Sequence, residues 1–152
     1  MKEETKSLKE VIIYCDGSCK GNPGPGGWAS ILIYRGKRKI LTGYAKDTTN
    51  NIMELTCAVK ALEKLKEPCT VALYSDSSYL VKGMTEWMEN WKNRNWKNSK
   101  KKSIKNVELW QKLDALSKKH NIYWQWVKGH DGHPENEECD RLAKNEIKKR
   151  VK

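Results

Sequence analysis

Two apolar runs, sixty residues apart, each end on an aspartate: Val11-Ile12-Ile13-Tyr14-Cys15 leads into Asp16, and Val71-Ala72-Leu73-Tyr74-Ser75 into Asp76. Short runs of this kind, rich in β-branched and aromatic residues and closed by polar residues, read as buried strands. Before the second run, residues 51–66 repeat apolar side chains at Ile52, Leu55, Val59 and Leu62, the spacing of one helical face, and Pro68 stops that helix. Strands joined through a helix favour a parallel pair with a right-handed crossover. Ligand sites in such sheets lie beyond the carboxyl ends of the parallel strands, so both aspartates are expected on one rim.

The remaining pattern completes a sheet. Strand-like runs fall at about 9–15, 28–35, 37–44, 70–75 and 122–127. Arg35-Gly36-Lys37 is short enough to be a hairpin link, and Gly21-Asn22-Pro23-Gly24-Pro25-Gly26-Gly27 reads as a loop dense in turn formers. Helical stretches are expected from Ser77 through Leu80, Val81 and Met84 into Trp87 and Trp91, then at about 106–119 and 134–149. The order is β-β-β-α-β-α-α-β-α. It predicts an α/β fold with a mixed five-stranded sheet, antiparallel over its first three strands and then parallel, flanked by helices. One domain is expected over residues 1–152, with 1–8 as a polar lead-in.

Net charge is +11, from 30 Lys and Arg against 19 Asp and Glu, which favours a polyanionic partner, nucleic acid before an acidic membrane surface. No run is long enough to span a bilayer, and the N-terminus has no apolar signal core. The five cysteines are odd in number and contain no CxxC pair, so neither a disulfide framework nor a structural zinc site is expected. A cytoplasmic protein fits these features.

Against this basic background, four acids stand at element boundaries. Asp16 and Asp76 end strands, Glu54 lies in the first turn of the helix opened by Thr48-Thr49-Asn50-Asn51, and Asp140 lies in the first half of the last helix. Singly, each has a plain explanation. The aspartates could form turns, Glu54 could close a capping box with Asn51, and Asp140 could be a solvated helix residue. Jointly, gathered on one rim, they would repel one another without cations. Two divalent ions ~4 Å apart can activate water and stabilise a leaving oxygen in phosphodiester cleavage. Mg²⁺ needs only a few such oxygen ligands. His130 lies in the glycine-flanked loop Lys128-Gly129-His130-Asp131-Gly132, His133 at the start of the last helix, and His120 on the surface.

A second feature lies between Glu89 and Glu108, a stretch without acids. It holds Lys92, Arg94, Lys97, Lys100, Lys101, Lys102 and Lys105. Trp87 and Trp91 are one helical turn apart and Trp96 follows. Cations track phosphates while aromatic faces pack on sugars or bases, so about 87–105 reads as a binding arm with some of its Trp anchoring it to the body.

Taken in order, these blocks resemble type 1 ribonuclease H in its stand-alone bacterial form. The matching residues are Tyr14-Cys15-Asp16-Gly17-Ser18-Cys19, the glycine-rich 21–27 stretch, Thr48-Thr49-Asn50-Asn51, Met53-Glu54-Leu55, Ser75-Asp76-Ser77, and Trp126 through Glu137 into Cys139-Asp140. The resemblance implies endonucleolytic hydrolysis of RNA paired to DNA, leaving a 5′-phosphate and a 3′-hydroxyl. It implies two Mg²⁺ per site with substrate, with Mn²⁺ able to substitute, and a monomeric protein. Asp16, Glu54, Asp76 and Asp140 would be the metal-binding acids, Asp16 bridging both ions, and His130 would aid proton transfer or product release. Trp91 and Ser99 would line the DNA channel, with Trp87 and Tyr79 beside them. Thr49 and Asn106 would hold a DNA phosphate. Cys19, Asn22, Asn50 and Asn51 would touch the minor groove and read 2′-hydroxyls.

Three positions depart from the family pattern. Ser78 stands where Gln is common and reaches less far into a groove. Asn95 replaces a usual Gly, and Asn tolerates left-handed backbone. Asp131 places a charge beside His130, where a small residue is common, and is expected to raise its pKa. Two other functions share some of these features. A DNA-cutting relative would keep the fold and cleave duplex DNA. A binding module without catalysis would lack one of the four acids, and all four are present.

Overall fold

The computed structural model describes residues 8–129 and 132–150. The strands β1 (Lys9–Cys19), β2 (Gly24–Tyr34) and β3 (Lys37–Thr48) form an antiparallel meander. β4 (Cys69–Ser75) lies parallel to β1, and β5 (Asn121–Trp126) lies parallel to β4. The sheet order is β3-β2-β1-β4-β5, the expected mixed five-stranded sheet. Arg35 and Gly36, with φ of 51° and 76°, make the left-handed two-residue turn whose twist matches a hairpin.

The first three strands run further than the apolar pattern suggests. Gly24 to Gly27 belong to β2 instead of a loop, and Gly26 pairs with both Cys19 and Ala45. Ladder hydrogen bonding prevails over turn propensity because bare backbone lets neighbours close in. A Cβ on Gly27 would lie 2.2 Å from the Ala143 carbonyl oxygen.

Helix α1 (Asn50–Lys64) packs on β1 and β2, burying Leu55, Val59 and Leu62. Its N-cap is Thr49, whose hydroxyl accepts the Ile52 N–H at 3.1 Å. Helix α5 (Pro134–Arg150) covers the opposite face, where Cys139 and Ala143 meet Ala29 and Ile31. The centre of β2 is therefore buried from both sides. Helix α2 (Ser78–Lys82), a π-helical turn (Gly83–Trp87) and α3 (Met88–Asn93) form the single helical region expected after Ser77. The widened turn passes the fully buried Trp110 of α4 (Val107–Lys119), and a Cβ on Gly83 would fall 2.0 Å from that ring.

All five cysteines are free. His120 corrects an expectation: it is buried, not on the surface, and its Nδ1 accepts the Cys69 N–H at 3.0 Å, joining the end of α4 to the start of β4. Burial lowers its pKa. Among the described residues, no helix is long and apolar enough to cross a membrane.

Candidate active site

Register places the two aspartates together, although Asp16 does not end its strand as expected: β1 runs on to Cys19, and Asp16 pairs with Ala29 of β2. Tyr14 pairs with Tyr74 across the parallel β1–β4 ladder and their rings stack at 4.9 Å, so Asp16 and Asp76, each two residues further on, come side by side where the β1–β4 pairing ends. Glu54 arrives from α1. A Cβ on Gly17 would stand 2.5 Å from the Met53 carbonyl carbon and 2.6 Å from the Glu54 nitrogen, so only glycine lets the helix come this close. The Gly17 N–H then donates to Glu54 Oε1 at 3.1 Å and to Asp16 Oδ1 at 2.9 Å. Glu54 sits just past the first turn, because α1 begins at Asn50 and Thr49 supplies the cap that the Asn51–Glu54 box would have made.

One oxygen from each of Asp16, Glu54 and Asp76 lies within 4.8 Å of the others. Electrostatics record the crowding. Burial pushes the Asp16 pKa up to about 8, with the charges of Asp76 and Asp140 adding to it and the Gly17 N–H opposing it. Burial and then the Asp16 and Asp76 charges raise Glu54 well above the carboxylate range. Asp140, on α5, lies close enough to act on Asp16 through its charge, but is not part of the triad and pairs with Lys144 at 3.1 Å. The donors are all carboxylate oxygens, and the electrostatic cost of gathering them falls when a cation enters. They fit a hard divalent ion such as Mg²⁺.

The third wall comes from the chain after β5. A Cβ on Gly129 would meet Asp76 Oδ2 at 2.9 Å, so the segment passes directly against that carboxylate. The Trp126 indole N–H donates to the Asp76 carbonyl at 3.1 Å, although the residue is 54% exposed. Neither contact is signalled by the spacing that marks the acids. His130 and Asp131, with the expected effect of one on the other, lie outside the described residues.

The residues expected at the minor groove cluster beside the acids. Cys19 Sγ donates to the Thr48 carbonyl at 3.3 Å, and Asn22 Oδ1 accepts the Asn50 N–H at 2.9 Å, which ties the β1–β2 turn to the start of α1. Asn51 is exposed there. Asn106, left-handed at φ 58°, donates through Nδ2 to the Tyr79 hydroxyl at 3.1 Å. It shares a cavity of about 370 Å³ with Ile52, three residues on from Thr49.

The basic arm rises from an aromatic base. Trp91 meets Trp110 at 5.0 Å and Trp87 at 5.9 Å, and Tyr79 meets Trp110 at 5.2 Å. Trp87 and Trp91 are half-buried, so each has one part in the base and another facing solvent. At the tip, Asn98 Oδ1 accepts the N–H groups of Lys100 and Lys102, which projects Ser99, Lys100, Lys101 and Lys102 into solvent. Lys92 does not belong to the free set, because it pairs with Asp114 at 3.1 Å.

Comparison with known proteins places this geometry. The family model "RNase H" matches residues 8–148. The Ribonuclease H of Alcanivorax borkumensis is 57% identical over 140 residues, covering 92% of this chain and 93% of its own. Among solved structures, LC9-RNase H1, described as a type 1 RNase H with the type 2 active-site motif, superposes with a TM-score of 0.86 at 31% identity, over 97% of this chain and 76% of that one. LC11-RNase H1 in complex with an RNA/DNA hybrid superposes with a TM-score of 0.72 at 24% identity, over 93% and 99%.

Proposed function

The chain belongs to the RNase H family, as a type 1 ribonuclease H, and on that footing we propose that it hydrolyses the RNA strand of RNA–DNA hybrids as a monomeric, cytoplasmic, metal-dependent endonuclease. The observation that carries this reading is the meeting of Asp16, Glu54 and Asp76 within 4.8 Å, with Asp140 acting on Asp16 from α5. Asp16, Glu54, Asp76 and Asp140 would hold two Mg²⁺ ions, for which Mn²⁺ could substitute. When bound, such ions would supply an activated water and charge neutralisation at the leaving 3′ oxygen. The chain's own part is positioning. Gly17 fixes Glu54 and Asp16 through one N–H, and Trp126 fixes the backbone of Asp76. The products carry a 5′-phosphate and a 3′-hydroxyl, and His130 assists proton transfer or product release.

Substrate choice rests on the surface around the acids. Cys19, Asn22, Asn50 and Asn51 face the minor groove and 2′-hydroxyls, the group that separates RNA from DNA. Thr49 and Asn106 hold a DNA phosphate, and the arm with Trp87, Trp91 and Ser99 grips the DNA strand through cations and aromatic faces. The test is a substrate panel: labelled RNA–DNA hybrid, RNA duplex and DNA duplex, with and without Mg²⁺, for wild type and Asp16→Asn. Hybrid-only, Mg²⁺-dependent cutting that vanishes in the variant is expected. Cutting of DNA duplex, or an active Asp16→Asn, overturns the proposal.

A further inference from the structure

Beyond the acids, on the side away from the arm, Ser18, Cys19, Lys20, Lys144, Ile147 and Lys148 line a cavity of about 440 Å³. It lies between the end of β1 and α5, and α5 packs on the sheet face opposite α1. The arm's aromatic base belongs to the α1 side through Trp110. Cys19 is three residues past Asp16 on the same strand, ~10 Å at the usual rise, which spans about three phosphates at ~3.4 Å of axis each.

The charges here are sorted. On α5, Lys149 and Arg150 both reach Glu146, and Lys144 pairs with Asp140. Lys148, one turn beyond Lys144, and Lys20, on the facing strand end, are exposed and make no ion pair among the described residues. Two unpaired ammonium groups on separate elements thus face one concavity beside the site of cutting. No acid lines it. Like charges brought together on separate elements are tolerated most easily when an anion joins them.

We propose that Lys20 and Lys148 form a subsite for a backbone phosphate of the RNA strand, a few nucleotides from the scissile bond and separate from the DNA-gripping arm. This rests on the ribonuclease H reading for the identity of the polyanion. Lys144 is left out of the test because it touches Asp140.

The experiment uses Lys20→Glu and Lys148→Glu in the full chain. Hybrid binding is measured by fluorescence anisotropy against salt in an Asp16→Asn background without Mg²⁺, so it does not depend on cleavage. Each variant is expected to bind ~3- to 10-fold more weakly at low salt and to lower the slope of log K against log salt by ~1. In the cleaving protein, KM rises and kcat holds. Neutral methylphosphonate linkages placed one at a time along the RNA strand should abolish the difference at one position. An unchanged salt slope in both variants overturns the subsite. Loss of the difference with DNA-strand linkages instead overturns the strand assignment. Failure of wild type to cut hybrid would overturn the parent reading while the anisotropy result stands by itself.

Discussion

The Gly17 N–H donates to Glu54 Oε1 at 3.1 Å, and this bond is possible only because Gly17 has no side chain between β1 and α1. A strand and a helix that meet at this distance deliver acids from two separate segments to one point. The closeness of these carboxylates is thus set by a residue that contributes none of them.

Gly17→Ala follows from that contact. The new methyl group would need room already held by the Met53 carbonyl carbon at 2.5 Å. Overpacking of this kind costs ~1–3 kcal/mol. Urea unfolding should show that loss, and hybrid cleavage should fall by at least ~10-fold, since displacements near 1 Å can cost ~100-fold. Full activity with unchanged stability would contradict the role assigned to Gly17.

Stability without divalent ions should fall as pH rises from 6.5 to 8. Asp16 has its pKa pushed up to about 8 when folded, chiefly by burial and then by Asp76 and Asp140. Its unfolded value is ~3.9. Between those two values the folded protein holds more protons, so raising pH favours unfolding by up to ~1.4 kcal/mol per unit per proton. Glu54 acts in the same direction. His120, with its lowered pKa, acts oppositely and only below its ordinary ~6.5. Asp16→Asn should make the slope shallower in chelator, and added Mg²⁺ should restore wild-type stability at pH 8. Chemical unfolding at several pH values checks this, and a wild-type slope of the opposite sign would refute it.

The arm should act on binding more than on chemistry. Replacing Lys97, Lys100, Lys101 and Lys102 by Ala removes exposed cations without touching the Trp91–Trp110 base. KM for hybrid should rise on the order of tenfold at ~0.1 M salt and the salt slope should fall, with kcat retained. Steady-state kinetics at several salt concentrations decide it. A loss confined to kcat would show that the arm shapes the site instead.

Much of this was legible in the chain because its strongest signals are local. The runs ending at Asp16 and Asp76 announce two strands and their rim, and the helical spacing of Leu55, Val59 and Leu62 announces α1. What escaped depends on contacts between distant segments. The glycines from Gly24 to Gly27 read as turn, yet they are strand because β1, β3 and α5 close on them. His120 reads as surface between polar neighbours, yet the Cys69 N–H claims it as a buried acceptor. Thr49 caps α1 in place of Asn51, a shift that local spacing leaves open. Trp126 and Gly129 lie in a block that the sequence marks, but their contacts with Asp76 appear only in the fold.

The most direct test reads which oxygen attacks phosphorus. Cleavage of an RNA–DNA hybrid in ¹⁸O-water with Mg²⁺, followed by mass spectrometry of the fragments, should place one ¹⁸O in a 5′-phosphate on the downstream piece and leave a 3′-hydroxyl upstream. A 2′,3′-cyclic phosphate upstream, without label in the downstream 5′ end, would mean attack by the neighbouring 2′-hydroxyl and would contradict hydrolysis directed by the gathered acids.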